Sequence, residues 1–506
     1  MVSKIVIVAL VALAAFVLAE EVKKPVRIAP IVDKMLKSYK PPGVPEGYNS
    51  TNPHTIGYMH RTRVDHFNPQ RRETFEFQYF SNDEFYRPGG PIFIFVGGPW
   101  PIEQYYIEHG HFHDIAFYEG AWMFTNEHRY YGRSFPTADL TAENMSFLTV
   151  EQAMVDLAEW IWHLKTNVVR DGNAKVILLG TGYAGAMAAW ARQRYPHLVD
   201  GVWSSSGQME ARLNFKEYAY EIGELIRDHG SDDCYSRIWR GFRTAEALML
   251  AGFTNVVTDM FNTCEPVDNE YYLDVETFFY NIKEGIQTAI LQPQTTDGAE
   301  NVCDELIDSE LRTDLEVLAH WIQERYYFLD CMPFDFHATV EAHTNTENHA
   351  FENSILGLRQ RVYQFCTEFG WFLTADNADQ PFGYMVTMNF FLNFCRELYG
   401  DWLDSSVVAD GVQLTNVHFG AQNPAITNVF FTNGEFDPIR DIGITNYYAE
   451  DAAAVVIEGY FNSADLNSIS GYNSPALLEV KHRVHLYIME WLYSGIVPIT
   501  EEKEQA

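Results

Sequence analysis

The run Val176-Ile177-Leu178-Leu179-Gly180-Thr181-Gly182-Tyr183-Ala184-Gly185 joins a short apolar segment to three glycines. It leads into an Ala-rich stretch that ends at Tyr195. A brief apolar run stopped by glycine and followed by good helix formers reads as a buried strand turning sharply into a helix. Small residues are needed at such a turn because the helix begins close to the strand. The turn has the layout of a nucleophile elbow, G-x-S-x-G, in which the strand-to-helix apex presents a serine and the helix N-terminus helps to hold an oxyanion. Here the central residue is Gly182, and no G-x-S-x-G occurs anywhere in the chain.

Two other readings fit the same glycines. One is a plain glycine-rich turn. The other is a dinucleotide loop, because Gly180, Gly182 and Gly185 match G-x-G-x-x-G. A dinucleotide site wants an acidic residue at the end of the next strand to hold the ribose. Asp200 precedes that strand, which ends in Trp203, Ser204, Ser205 and Ser206. No cofactor is therefore expected.

Outward from the turn, apolar runs alternate with helical ones. Phe75 to Phe80 alternates, Pro91 to Val96 is apolar and ends in Gly97-Gly98, and Ala121 to Thr125 and Val202 to Ser206 are strand-like. Leu148 to Leu164 has helical periodicity. From about 210 to 350 helical segments dominate. Strand signals return at Asn428 to Thr432 and Ala452 to Ile457, before an amphipathic helix from Pro475 to Leu492. Alternating strands and helices predict an α/β fold, a parallel sheet covered on both faces with a helical cap inserted. The expected division is a hydrolase-type domain over 51–208 and 356–497, a cap over 209–355, an extended segment over 20–50 and an acidic tail over 498–506.

The chain has 506 residues, 47% of them hydrophobic, and a net charge of -34. That surface repels nucleic acid and anionic membranes, so neither is an expected partner. Lys4, the apolar run Ile5 to Leu18 and the small Ala19 before Glu20 form the pattern of a secretory signal peptide over 1–19, too short for a membrane span. Six cysteines, Cys234, Cys264, Cys303, Cys331, Cys366 and Cys395, then imply three disulfides. Asn49-Ser50-Thr51 and Asn144-Met145-Ser146 are glycosylation sequons. Together these point to a secreted or lysosomal protein. His109, His111 and His113 before Asp114 form the one pattern with metal-like spacing. It reads as a polar rim, and no metal is expected.

Several segments resemble one family in order. They are Pro91 to Gly98, Glu127-His128-Arg129-Tyr130-Tyr131-Gly132-Arg133-Ser134, Leu148 to Ala153, Gly180 to Val202, Tyr363 to Gly370 and Asn433-Gly434-Glu435-Phe436-Asp437-Pro438. The chain resembles the serine carboxypeptidase-like α/β-hydrolases that include lysosomal Pro-X carboxypeptidase, dipeptidyl peptidase II and thymus-specific serine protease, with the thymus-specific branch the nearer. The resemblance covers most of residues 55 to 495. It implies a Ser, Asp, His triad in that chain order, with a cleft between hydrolase and cap that takes proline-containing peptides.

Carried over by position, the serine falls on Gly182, the aspartate on Asp437, and the histidine on Asn462 in Asn462-Ser463-Ala464-Asp465-Leu466. After Gly98, where the family usually has Glu-Gly, stand Pro99, which has no N–H to offer an oxyanion, and the bulky Trp100. The amide of Tyr183 remains. The resemblance also implies the pairs Cys234–Cys303, Cys264–Cys331 and Cys366–Cys395. The reading is an inert peptidase homologue with a peptide-binding or regulatory role. The alternative is an active serine-type exopeptidase working through a rearranged site, and a homodimer is left open.

Overall fold

The computed structural model describes residues 44–45, 48–267, 271–291, 295–325, 330–446 and 452–493. The signal peptide expected over 1–19, most of the extended segment and the acidic tail lie outside the described residues.

An eight-stranded sheet organises the hydrolase part. Its strands are β1 (Thr55–Arg63), β2 (Thr74–Asn82), β3 (Ile92–Phe95), β4 (Trp122–Asn126), β5 (Val176–Thr181) and β6 (Gly201–Ser205). After a separate pair, β7 (Arg212–Asn214) and β8 (Gly370–Phe372), come β9 (Val429–Gly434) and β10 (Ala452–Ile457). The order across the sheet is β1-β2-β4-β3-β5-β6-β9-β10. β1 and β2 are antiparallel to their neighbours, and every later pairing is parallel. This is the mainly parallel, helix-covered sheet of an α/β-hydrolase. The strand over 55–63 carries no clear signal in the sequence, because β1 is an edge strand with mostly exposed side chains.

The period of two along each central strand divides the core. Ile92, Ile94, Val176 and Leu178 face one layer, with Met187 and Trp190 of helix Tyr183–Arg194 and Leu157 and Trp160 of helix Val150–His163. Phe93, Phe95, Ile177 and Leu179 face the other, with Phe112 and Ile115 of helix His111–Glu119 and Val484 and Ile488 of helix Pro475–Tyr493. Both faces are covered, so β3, β5, β6 and β9 are buried along their whole length.

The next strand of the large sheet after β6 is β9, and the segment between 356 and β9 packs on both sides: Phe369, Trp371 and Phe419 join the sheet's core with Trp190. Tyr363, Cys366, Phe390, Phe394 and Leu398 share one core with Ile222, Phe242 and Phe279. Helix Met388–Tyr399 buries Phe390, Phe391, Phe394, Cys395 and Leu398 along one face, and that face meets other helices rather than the sheet.

The disulfides are Cys234–Cys303, Cys264–Cys331 and Cys366–Cys395. The first two close loops of 69 and 67 residues within the cap. Closing loops of that length contributes about 4 kcal/mol each in the chain-entropy model. Non-reducing peptide mapping should recover these three pairs, and reduction should lower the melting temperature. A link from Cys366 to any of the first four cysteines would contradict this framework.

Candidate functional site

Gly182 stands between the end of β5 and helix Tyr183–Arg194, with φ 56° and ψ -127°. Its N–H donates to Ser205 O (3.1 Å), and its carbonyl accepts from the amides of Ala186 (3.1 Å) and Gln208 (3.3 Å). The three glycines of this turn serve different needs. A Cβ on Gly180 would lie 2.2 Å from Ala184 O, and one on Gly185 would lie 3.0 Å from Gly180 O. Those two permit the close approach of helix to strand. A Cβ on Gly182 would meet nothing within 4 Å, because this residue faces an open cleft.

The same cleft is lined by Asp437, Asn462, Ser463, Pro99, Trp100 and Tyr183. The fold thus brings together positions far apart in the chain. Its remaining walls include Phe215, Tyr218, Phe365, Phe369, Trp371 and Phe461, drawn from both hydrolase and cap. Arg361 supplies the strongly basic side chain of the lining and Asp437 the acidic one.

Asp437 follows β9 and is 1% exposed. The Ile439 amide donates to its Oδ1 (3.0 Å), and Oδ2 has no hydrogen-bond partner. Burial pushes its pKa up to about 6, and the Ile439 amide, the Ser206 hydroxyl and the Arg440 charge offset this only in part. Arg440 is itself engaged by Glu221 at 2.7 Å.

Asn462 and Ser463 follow β10. The Ser463 amide donates to Ser206 Oγ (3.2 Å), and the Ser463 and Thr181 hydroxyls bond each other. Asp465, to which the sequence reading gave no role, holds this loop. It is buried and accepts from Ser205 Oγ (2.7 Å), Trp203 Nε1 (3.2 Å) and the Thr432 hydroxyl. Its carboxylate therefore ties the loop to the ends of β6 and β9. An acidic residue three positions beyond Asn462 was the available signal, but its partners come from strands 33 to 262 residues away.

Gly98, Pro99 and Trp100 form the turn after β3. The Trp100 ring folds back over Gly98 so closely that a Cβ there would lie 2.2 Å from it. Pro99 O accepts from Arg361 Nη2 (2.8 Å), which fixes the turn to the cap side.

The Glu127–Ser134 segment is a brace. Glu127 accepts from the Ser134 hydroxyl (2.6 Å) and from the amides of Arg133 (2.8 Å) and Ile102 (3.3 Å). Gly132, at φ 60°, leaves room for that carboxylate. Arg129 grips Asp156 through Nε (2.6 Å) and Nη2 (2.8 Å). Burial lowers His128 to about 4 and keeps it neutral. Its Nδ1 donates to Arg129 O (2.7 Å), so Nε2 accepts from the Tyr183 hydroxyl (2.9 Å).

The histidine pattern gathers no ligand set. His111 is buried with Nε2 2.9 Å from Lys481 O, while the His109 and His113 rings lie 6.5 Å apart. Among the described residues no group of three His, Cys, Asp or Glu could hold a metal, and no helix is long and apolar enough to cross a membrane. Asn49 is exposed. Asn144 is half-buried, and its Nδ2 donates to Asp139 Oδ1 (2.7 Å).

The profile of the family described as serine carboxypeptidase S28 matches residues 62–484, from β1 to the last helix. The chain belongs to that family. The S28 match spans both sheet and cap. Mouse thymus-specific serine protease is 26% identical over 451 residues, covering 85% of this chain and 86% of its own. Mouse lysosomal Pro-X carboxypeptidase is 25% identical over 454 residues, covering 86% and 89%.

Two outcomes follow from this S28 site. Gly182→Ser has room for its side chain and bears only the strain of positive φ, about 1–3 kcal/mol. Gly180→Ala drives a Cβ into backbone. Thermal denaturation should therefore show a larger loss for Gly180→Ala, and the reverse order would refute the steric assignment.

Asp437 supplies a pH signature. Its folded pKa is raised, so its contribution to stability is fully present below the ordinary value of 3.8 and is lost as pH rises through about 6. A shift of this size corresponds to about 3 kcal/mol. Asp437→Asn should flatten the fall in melting temperature between pH 4 and pH 7, and an unchanged profile would count against a buried, poorly paired carboxyl.

Proposed function

We propose that this chain is a secreted or lysosomal S28 homologue that holds peptides in its cleft without cutting them. The observation that carries this reading is the apex of the elbow, where Gly182 has the backbone placement of a nucleophile and no side chain to attack with. Three further features support it. Asn462 lacks a ring nitrogen that could take a proton near neutral pH. Pro99 has no N–H, and the Trp100 ring crowds Gly98. In a serine triad, loss of nucleophile or base alone lowers turnover by about 10⁶.

A rearranged active site would need another hydroxyl beside a base. The hydroxyls of Thr181 and Ser463 bond each other, and that of Ser205 serves Asp465. His128 is buried against Tyr183 and Arg129 O. A cleft walled by aromatic rings suits proline-containing peptides, whose rings pack on flat apolar surfaces. The disulfides and the leader pattern over 1–19 favour export from the cytosol.

The purified protein should neither react with a fluorophosphonate nor cleave a panel of proline-containing peptides at acidic or neutral pH. Gly182→Ser alone should restore no turnover, because no base stands beside it. Gly182→Ser with Asn462→His, using the native Asp437, should restore partial turnover, limited by Pro99 and Trp100. Stoichiometric labelling of the native protein, or full activity from Gly182→Ser alone, would overturn the proposal.

A further inference from the structure

We propose that this protein pairs with a second copy of itself through the outer face of helix Pro475–Tyr493, the two copies of that helix running antiparallel and crossing at Leu486. The surface is separate from the cleft, and the inference does not rest on what the cleft holds.

Helix Pro475–Tyr493 has two apolar faces where a surface helix has one. Leu477, Val480, Val484, Ile488 and Trp491 are buried in the core beneath the sheet. The opposite side should then be polar. Instead Leu486, Met489 and Tyr493 stand exposed there, at 55%, 38% and 38%. With His482 they recur at intervals of four, three and four residues, which sets them in one stripe along the helix. Helix His111–Glu119 widens the stripe. Its Phe117 and Tyr118 are exposed, and the Tyr118 ring lies 5.9 Å from that of His485. Glu119 fixes the two helices together, accepting from the Tyr493 hydroxyl (2.7 Å) and meeting His485 Nε2 at 2.7 Å. Phe117, Tyr118, Leu486, Met489 and Tyr493 therefore form one firmly held apolar patch, and a contiguous patch of this kind marks an interaction surface.

Charge selects the occupant. A net charge of -34 drives copies of this chain apart, so self-association needs a locally balanced surface. Helix Pro475–Tyr493 provides one, because Glu479 and Glu490 are matched in number by Lys481 and Arg483. The pattern is also self-complementary. His482 and Glu490 are both exposed and stand four residues before and four after Leu486. In a two-fold pair, contacts are reciprocal: a residue that meets a second position on the other copy is matched by the same contact in reverse. An antiparallel crossing at Leu486 thus sets His482 beside the partner's Glu490 and Glu490 beside the partner's His482, with leucine against leucine at the centre. Among the described residues the cleft lining draws on neither helix, so each copy keeps its cleft open.

Sedimentation velocity on the full, disulfide-bonded protein, at chain concentrations from about 1 to about 100 μM, reads the association directly. The native protein should pass from monomer to dimer across that range. Leu486→Glu should raise the dissociation constant at least ten-fold. His482→Glu, which faces the partner's Glu490 with a second carboxylate, should raise it at least five-fold. Combining His482→Glu with Glu490→Lys reverses the pair and should bring the constant back to within three-fold of native. All three positions are exposed, and circular dichroism shows whether each variant is folded. A native protein that stays monomeric throughout would overturn the proposal, as expected if residues 494–506 or a different protein cover the patch. So would a dimer indifferent to Leu486→Glu, or a reversed pair that fails to restore association.

Discussion

Helix Tyr183–Arg194 lies so close to β5 that a Cβ at Gly180 would run into the Ala184 carbonyl, and one at Gly185 would press on Gly180 O at 3.0 Å. This contact determines the rest of the site. Because the helix begins one residue after the strand ends, Gly182 must turn through positive φ, and the apex is pushed clear of the sheet toward the cleft. The chemistry of the apex residue is free to vary while the turn is not: a Cβ at 182 meets nothing, whereas one at 180 meets backbone.

Around this turn the protein keeps a stiff frame of buried polar contacts. Arg129 and Asp156 join the segment after β4 to helix Val150–His163. Glu127 closes the loop around Gly132, and neutral His128 holds the Tyr183 hydroxyl behind the apex. Asp465 does the corresponding work on the far side, tying the loop that bears Asn462 to β6 and β9. Each of these groups has its hydrogen-bond partners in place. Asp437 differs in that its burial outweighs the help of the Ile439 amide and the Ser206 hydroxyl, so its carboxyl is pushed up to about 6.

The cap completes the cleft. Phe215 and Tyr218 come from its first segments, and Arg361 and Trp371 from its last. Its helices share a core with Tyr130, Tyr131, Leu148 and Phe461 of the hydrolase part, and disulfides staple it. The cleft draws its walls from both cores, Phe461 from one and Phe215, Phe369 and Trp371 from the other, so they come from positions widely spaced along the chain.

The central strands, the elbow, and Gly182, Asp437 and Asn462 as positions of interest were legible in the sequence, because local periodicity and short ordered motifs carry them. The edge strand β1 was not, since exposure on an edge removes the alternation that marks a half-buried strand. Nor was the packing of helix Met388–Tyr399, because an amphipathic helix has the same pattern whether its apolar face meets a sheet or another helix. The fold alone decided that Trp100 lies over Gly98, that Asp465 braces the Asn462 loop, and that burial raises the carboxyl of Asp437. Those facts concern which distant groups meet and which do not, and such pairings exist only once the chain has closed around them.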